Sequence, residues 1–478
     1  MAPETATPPM DVEPTMLDSE PVSAPDVSPE EQAGAREMPG LRPRAEPVAG
    51  AERYYSVDVL RGFALLGILA MNIVGFAWPM SAYGDPMRGG GFEGLDRVVW
   101  YFNHLFFETK MMTIFSMLFG AGLVLMDQRA EARGAHIRGV YFRRVLWLLA
   151  IGCVHAYLIW SGDILVLYAE CGLLLYFFRN LRPRTLFILG GAALLYFVPI
   201  LLTITACGDK VKAYFKEAGN RVEVRQAAGE LPEARDRLAQ MVWVGWMREQ
   251  MREAPEKDFE HWNKALEVGR GSYWGIVKDR STGLFVEHTI GFVLAGWSLA
   301  LGRMLVGMGL MKMGVFSAKR SRRFYLWMVI LGYGIGLPLV IYDANELILH
   351  KFSITYQMHG GFFYNYYASL FVVMGHIGTL MLIVQSGAIK WLTDRLAAVG
   401  RMALSNYLTH SIVCTTLFYG YGFGLFGDIN RRGLAAIVLV IWVSQLLISP
   451  IWLKHFRFGP AEWLWRSLTY WKLQPMRV

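Results

Sequence analysis

The sequence predicts an all-α, polytopic integral membrane protein with about ten transmembrane helices. Of its 478 residues, 54% are hydrophobic and only 18% are charged. The apolar residues come in blocks close to the ~20 that an α-helix needs to cross a bilayer. Four cysteines are too few for a disulfide framework, and the net charge of +8 suits membrane topology better than nucleic-acid binding.

Residues 1–52 form an acidic, proline-rich segment without an apolar run. They hold ten of the twenty prolines, and residues 1–31 carry eight acids and no base. Such a segment cannot bury enough apolar surface to offset the loss of conformational entropy on folding. It also lacks the apolar core of a signal peptide. We predict a disordered cytoplasmic tail.

The apolar blocks after this tail fall into two groups of five, one within 53–206 and one within 284–453. The connections between blocks alternate between basic and base-poor. Basic connections such as 127–144 and 387–401 are expected in the cytoplasm, because Lys and Arg are enriched in cytoplasmic loops. Both termini are therefore predicted to be cytoplasmic.

Two further segments lie outside these groups. Residues 207–283 have nearly balanced charge, and the stretch 222–268 is rich in Glu, Ala, Arg and Leu. We predict an external soluble helical insertion, suited to substrate capture or to contact in a homodimer. Residues 454–478 are basic and rich in tryptophan, which is typical of a cytoplasmic segment in the headgroup region.

The first apolar block carries three polar residues on one face. Asp58 and Arg61 are three residues apart, and Asn72 lies roughly 16 Å beyond Arg61 on nearly the same side of a helix. Intramembrane polar groups indicate function by default, so this stripe is a candidate binding surface. The alternative is that Arg61 reaches lipid phosphate while Asn72 bonds a neighbouring helix.

The segment "HAYLIWSGDILVLYAE" at 155–170 has the densest set of ionisable groups. A tight turn at Ser161 and Gly162 would bring His155 beside Asp163 and Glu170, which share a helix face. A histidine between two carboxylates is typical of an oriented general base. Alternatively, Asp163 is a helix N-cap, and His155 and Glu170 form a structural pair.

Other polar residues are weaker candidates. His104 precedes the second block and is either a site residue or an interfacial one. Asn406 and His410 share a face of the ninth block and are interpreted as cavity lining, and Arg401 stands just before them. No metal-ligand spacing and no nucleotide-binding motif is found.

Three sets of segments resemble one family: "SVDVLRGFALLGILAMNI"; "KMMTIFSMLFGAGLVLM" with "IGCVHAYLIWSGDILVLYAECGLLLYF"; and "GRMALSNYLTHSIVCTTLFYGYGFGLFG" with "FRFGPAEWLWRSLTY". Together they resemble the YeiB family of bacterial membrane proteins (domain of unknown function 418). That family is grouped with the transmembrane acyltransferases. The resemblance implies a multi-pass protein of the bacterial cytoplasmic (inner) membrane.

The resemblance also implies an activity. It would move an acyl group from a cytoplasmic acyl-CoA-type donor, such as acetyl-CoA, to a hydroxyl or amine of a glycan or lipid at the outer face, without a permanently bound cofactor. Sugar O-acyltransferases commonly have an arginine in the first helix, then ten residues and then a histidine, and at that position after Arg61 this sequence has Asn72. In the heparan-glucosaminide type, the catalytic histidine precedes the second helix, and His104 is the nearest candidate.

We therefore expect Arg61 and Arg401 to meet donor phosphates, and His155, held by Asp163, to act as the base. Asn72 would donate toward the developing oxyanion, and His104 is the alternative base. Asp58, Glu170, Asn406 and His410 complete the predicted binding residues. The main rival is a transporter or lipid flippase that uses the same histidines and carboxylates. A structural or regulatory membrane protein is a third class.

Overall fold

The computed structural model describes residues 54–206, 208–242, 255–353, 356–357 and 361–478. Throughout these ranges the regular structure is helical, apart from one isolated bridge between Phe456 and Arg477. The all-α prediction is confirmed. The predicted tail at 1–52 lies outside the described residues.

The helices follow one another with short connections. The first are α1 (Tyr55–Ala77), α2 (Leu95–Phe106), α3 (Lys110–Ala132), α4 (Arg138–Val154), α5 (Leu165–Leu175), α6 (Pro183–Leu195) and α7 (Phe197–Ala206). The middle of the chain contains α8 (Gly208–Ala227), α9 (Ala234–Val242), α10 (Pro255–Gly269) and α11 (Tyr273–Val286). The last are α12 (Trp297–Lys312), α13 (Arg322–Leu349), α14 (Phe362–Ser386), α15 (Lys390–Arg401), α16 (Ala403–Phe418), α17 (Arg431–His455) and α18 (Pro460–Tyr470).

Six stretches of helix are long and apolar enough to cross a membrane. They are Tyr55–Ala77, Leu95–Ala132, Arg138–Ile159, Arg322–Leu349, Phe363–Ser386 and Arg431–His455. The count rises to seven if α11 and α12, with the turn between them, form one span bent by 59°. Within the described ranges the predicted ten spans are therefore not confirmed, and the cytoplasmic placement of both termini stays a prediction.

Several predicted membrane blocks fold into helices too short to span. Helix α5 has 11 residues, α6 has 13 and α16 has 16, against the ~20 required. Non-helical chain separates α4 from α5 around Asp163, and α6 ends at Tyr196 before α7 begins. Irregular chain at membrane depth is tolerated where protein or a cavity encloses it. The short helices therefore point to an interior site.

Residues 387–401, predicted as a basic connection, contain helix α15, which packs along the first half of α1. The two backbones touch at a pair of glycines. A Cβ on Gly62 would lie 2.0 Å from the Leu396 carbonyl oxygen, and one on Gly400 would lie 2.0 Å from that of Asp58. Arg61 and Arg401, the chain neighbours of these glycines, belong to the two helices that meet at this crossing.

Two segments predicted to lie outside the bundle are helical. Helix α11 begins at Tyr273, so the boundary predicted at 283 falls inside a helix. Residues 207 and 243–254 of the predicted insertion lie outside the described residues. Helix α18 packs against α4 and α16, so this part of the predicted interfacial segment forms a wall of the bundle.

Candidate functional site

A cavity of about 280 Å³ opens within the bundle at the end where α1 begins. Helices α1, α3, α4, α5, α15, α16 and α18 contribute its walls. Its charged lining is dominated by arginine. The arginines are Arg61, Arg129, Arg133, Arg144, Arg401 and Arg466, and the carboxylates are Asp58 and Glu462. The excess of guanidinium groups suits a ligand with several negative charges, since arginine binds phosphate oxygens with paired hydrogen bonds.

The two arginines predicted to meet a donor both line this cavity. Arg61 Nη1 donates to Asp58 Oδ1 over 2.7 Å, and the Arg61 side chain remains 28% exposed. Arg401 Nε is buried and has no hydrogen-bond partner among the described residues. A buried guanidinium N–H without a partner is costly, so an anionic ligand here would be bound at low desolvation cost.

The deeper wall of the cavity is apolar and aromatic. It includes Leu65 and Ile68 of α1, Phe115 and Leu118 of α3, and ends at Ile164, Tyr168 and Tyr407. A ligand that fills the cavity would therefore place its charged part among the arginines and a slender apolar part toward Tyr407.

Behind Tyr407 and Ile164 lies a fully buried row of three polar side chains. His155 Nδ1 is 2.7 Å from Asp163 Oδ1, and His155 Nε2 is 2.8 Å from Ser411 Oγ. All three side chains are inaccessible to solvent. The predicted pairing of His155 with Asp163 is present in the structure, and Ser411 is added to it from α16. A chain of serine, histidine and aspartate can pass a proton from the hydroxyl to the ring.

The local backbone explains how this row forms. Helix α4 ends in a π-helical turn over His155–Ile159, a distortion often found at functional sites. Asp163 Oδ2 accepts a hydrogen bond from the Val166 amide over 2.7 Å, which caps the start of α5. Asp163 is therefore both the predicted N-cap and the partner of the ring.

The row adjoins the arginine-lined cavity at its deep end. The Tyr407 ring centroid is 5.1 Å from that of His155, and Ile164 follows Asp163 directly in the chain. Ser411 is one helical turn beyond Tyr407 on α16. One aromatic ring therefore stands between the cavity and the histidine.

Glu170 does not complete the predicted pair of carboxylates around His155. An imidazole has only two nitrogens, and those of His155 face Asp163 and Ser411. Glu170 is half-buried and lines neither cavity. The helical spacing placed it on the face of Asp163, but Asp163 precedes α5 and does not follow helical geometry.

A histidine between two carboxylates, the arrangement predicted for His155, is present at His104. His104 Nδ1 is 2.6 Å from Glu108 Oε2, and its Nε2 is 2.9 Å from Asp343 Oδ2. The fully buried Lys110 donates from Nζ to the His104 carbonyl and to Asn365 Oδ1, each over 2.7 Å. This cluster holds two carboxylates, a histidine and an ammonium in a mutually compensating set, as buried charges require.

His104 and Glu108 also line a second, smaller cavity of about 30 Å³. It lies toward the other end of α1, and its remaining lining residues are Ala70, Met71, Val74, Ala82, Tyr83, Trp100, Asn103 and Arg431. Ile68 lines the first cavity and Met71 the second. The two cavities thus come within one helical turn of each other along α1.

The His155 row also approaches the second cavity. Tyr83, which lines that cavity, packs on Gly75, where a Cβ would lie 2.6 Å from its ring. The Gly75 carbonyl accepts a hydrogen bond from Trp160 Nε1 over 3.4 Å, and the Trp160 ring stands edge-on to His155. His155 is therefore reached from one cavity through Tyr407 and from the other through Trp160 and Tyr83.

The other predicted site residues have different surroundings. Asn72 lines neither cavity, so the predicted stripe breaks after Arg61. Asn406 donates to the Val399 carbonyl and to Ser449, and His410 Nε2 meets Gln445 Oε1 at 2.8 Å. Asn406 and His410 thus join α16 to α17 and line neither cavity.

Three important residues are absent from the sequence predictions. Asp343 sits in a long apolar helix, where an acid is rare enough to be noticed. Ser411 carries no such signal, because serine is common in membrane helices. Glu462 lies in a segment predicted to be interfacial. Its Oε1 accepts from the Leu404 amide over 2.6 Å, and burial raises the pKa of its carboxyl.

The apolar helices and their enclosed polar clusters define a multi-pass helical membrane protein. Its relatives identify the family: the chain belongs to the YeiB family. Residues 310–472 match the family model described as "Protein of unknown function (DUF418)".

Curated relatives extend the match over most of the chain. It is 30% identical over 453 residues to "Uncharacterized protein YxaH" of Bacillus subtilis (strain 168), covering 90% of this chain and 98% of the relative. It is also 30% identical over 430 residues to "Uncharacterized protein YeiB" of Escherichia coli (strain K12), covering 87% and 96%. No solved structure matches the chain.

Proposed function

We propose that this protein is a membrane acyltransferase. It would move an acyl group from a cytoplasmic acyl-CoA-type thioester to a hydroxyl or amine of a glycan or lipid at the outer face of the bacterial inner membrane. One observation carries the proposal: an arginine-lined cavity has an apolar and aromatic wall behind which His155, oriented by Asp163, lies buried.

The donor would enter the arginine-lined cavity. Basic connections adjoin this cavity, and by the positive-inside rule they favour a cytoplasmic mouth. The arginines would hold the phosphates, and the apolar wall would take the thin thioester arm. Acetyl-CoA fits a cavity with a basic part and an apolar part, because its charge is concentrated at one end and its reactive carbon lies at the other.

The acceptor would approach from the second cavity. A hydroxyl or amine there must lose a proton as it attacks the acyl carbon, so the reaction needs a base within reach. His155 is the base that we propose, because only the Tyr407 ring separates it from the arginine-lined cavity. The His104 cluster would bind and orient the acceptor. The resemblance to transmembrane acyltransferases, noted in the sequence, is a second support for the proposal.

The test uses full-length protein in lipid nanodiscs with radiolabelled acetyl-CoA and octyl glucoside as a hydroxyl-bearing acceptor. Thiol release and label transfer are measured for wild type and for His155→Ala. We expect the variant to lose both. His455→Ala, at an exposed position on α17, is the matched control and should retain both.

A second experiment tests the donor site. Arg401→Gln and Arg61→Gln should each weaken acetyl-CoA binding about tenfold, the size of a lost charged hydrogen bond. The exposed Arg323→Gln should not. Absence of thiol release with acetyl-, propionyl- and long-chain acyl-CoA would contradict the proposed acyl transfer and would favour the alternative function as a transporter or lipid flippase.

A further inference from the structure

Ser411 has the surroundings of an activated hydroxyl. Its Oγ lies 2.8 Å from His155 Nε2, and its alternative acceptor, the Tyr407 carbonyl one turn earlier on α16, is 3.5 Å away. Both groups and Asp163 are buried. The shorter contact directs the serine toward the ring, as in serine-histidine-aspartate triads.

The hydrogen-bond partners assign the protonation of the row. An ionised Asp163 only accepts hydrogen bonds, and its second oxygen receives the Val166 amide. A neutral His155 that donates Nδ1–H to Asp163 leaves Nε2 as an acceptor for the Ser411 hydroxyl. Every member of the row then has a donor opposite an acceptor, and the only proton free to move toward Nε2 is that of Ser411.

We infer that Ser411 is the nucleophile, and that the acyl group rests on it as an ester between two half-reactions. This inference rests on the proposed acyl transfer and specifies its intermediate. It also gives a role to the position of the row behind Tyr407, since the ester would form with a donor in the arginine-lined cavity.

The steps balance without a further reactant. In the first, Ser411 Oγ attacks the thioester carbonyl while its proton passes to His155 Nε2. The carbon–sulfur bond then breaks, and the leaving thiolate takes that proton. In the second, the acceptor hydroxyl or amine loses its proton to His155 and attacks the ester. The carbon–Oγ bond breaks, and the proton returns to Ser411. The Tyr407 ring must turn aside for the first step.

The test uses the full chain in nanodiscs and two probes. One is radiolabelled acetyl-CoA without acceptor, quenched on the millisecond scale and analysed by peptide mass spectrometry. The other is a small alkyl fluorophosphonate, which reacts with activated serines whatever their natural donor. We expect both to label Ser411, and we expect His155→Ala to abolish both labels.

Three variants accompany these probes. Ser411→Ala should lose both labels and lower thiol release by about 10³-fold or more. Ser411→Cys keeps a nucleophile, so it should be labelled as a thioester that neutral hydroxylamine cleaves. Ser449→Ala removes another buried serine that lies on α17 and contacts Asn406. It should keep both labels, and thermal unfolding identifies any variant that is misfolded.

The outcomes separate this inference from the proposed function. Two results would contradict the role of Ser411 as nucleophile without contradicting acyl transfer. One is thiol release by Ser411→Ala within about threefold of wild type, and the other is an acyl group on His155. Acyl transfer by wild type without any acyl-Ser411 at the earliest quench times would do the same. Fluorophosphonate labelling of Ser411 without consumption of any acyl-CoA would support Ser411 as the nucleophile and contradict acyl-CoA as the donor.

Discussion

The Asp163 carboxylate stands 2.7 Å from Nδ1 of His155 and holds the ring with its other nitrogen toward Ser411. Without this contact, the ring loses the acceptor that fixes its tautomer. In the serine-protease triad, the corresponding change from aspartate to asparagine costs about 10⁴ in kcat.

We therefore expect Asp163→Asn to lower kcat by about 10³-fold or more while donor binding stays near that of wild type. Acetyl-CoA binding and single-turnover thiol release, measured on the same preparation, test whether kcat falls while donor binding is retained. Glu170→Gln replaces the carboxyl group that does not contact His155, and should leave both quantities little changed. Equal losses in the two variants would contradict the role given to Asp163.

The crossing of α1 and α15 at Gly62 and Gly400 has no room for a methyl group. Gly400→Ala should push the helices apart, cost about 1–3 kcal/mol of stability as overpacking does, and displace the part of the cavity wall that carries Arg61 and Arg401. Thermal unfolding and acetyl-CoA affinity should fall together. Gly334→Ala, where a Cβ meets nothing within 4 Å, is the control, and an equal effect there would show that the crossing is not special.

Glu462 attaches α18 to the start of α16 by accepting from the Leu404 and Ser405 amides. Glu462→Ala leaves these amides without their acceptor and should cost about 1–3 kcal/mol. Glu462→Gln retains an acceptor oxygen and should cost less. Thermal unfolding of both variants against wild type measures the difference.

The same residue makes a pH-dependent contribution. Because the pKa of Glu462 is raised in the folded protein, the folded state binds the proton more tightly than the unfolded state. Its contribution to stability is therefore fully present at low pH and is lost as pH rises through the raised value. The difference in unfolding temperature between wild type and Glu462→Gln should shift in favour of wild type as the pH is lowered. A constant difference would contradict this linkage.

His104 is assigned to the acceptor half of the reaction. His104→Ala should still form acyl-Ser411 from acetyl-CoA, but should transfer the label to octyl glucoside at least tenfold more slowly. His376→Ala is the comparison, because His376 is also buried but lines neither cavity. If His104→Ala instead fails to form acyl-Ser411, its cluster belongs to the donor step or to folding.

The sequence predicts the helical class and the family, because apolar blocks and the motifs at the first and ninth blocks are local signals. It also pairs His155 with Asp163, since only eight residues separate them. It does not predict that Asp343 contacts His104, or that Ser411 contacts His155, because these contacts join residues 239 and 256 positions apart. Asn72 was assigned by helical register, but register does not determine which side of α1 faces a cavity.

The π-helical turn at the end of α4 determines the rotational position of the chain that follows it. A π turn contains one more residue than the α-helical turn that it replaces. If the segment from His155 to Ile159 kept its length but relaxed to ordinary α-helix, the following chain would rotate by about 100°. Asp163 would then swing away from the ring. Family members that share this chemistry should therefore keep the length of this turn even where its side chains differ, which makes spacing, rather than identity, the feature to compare.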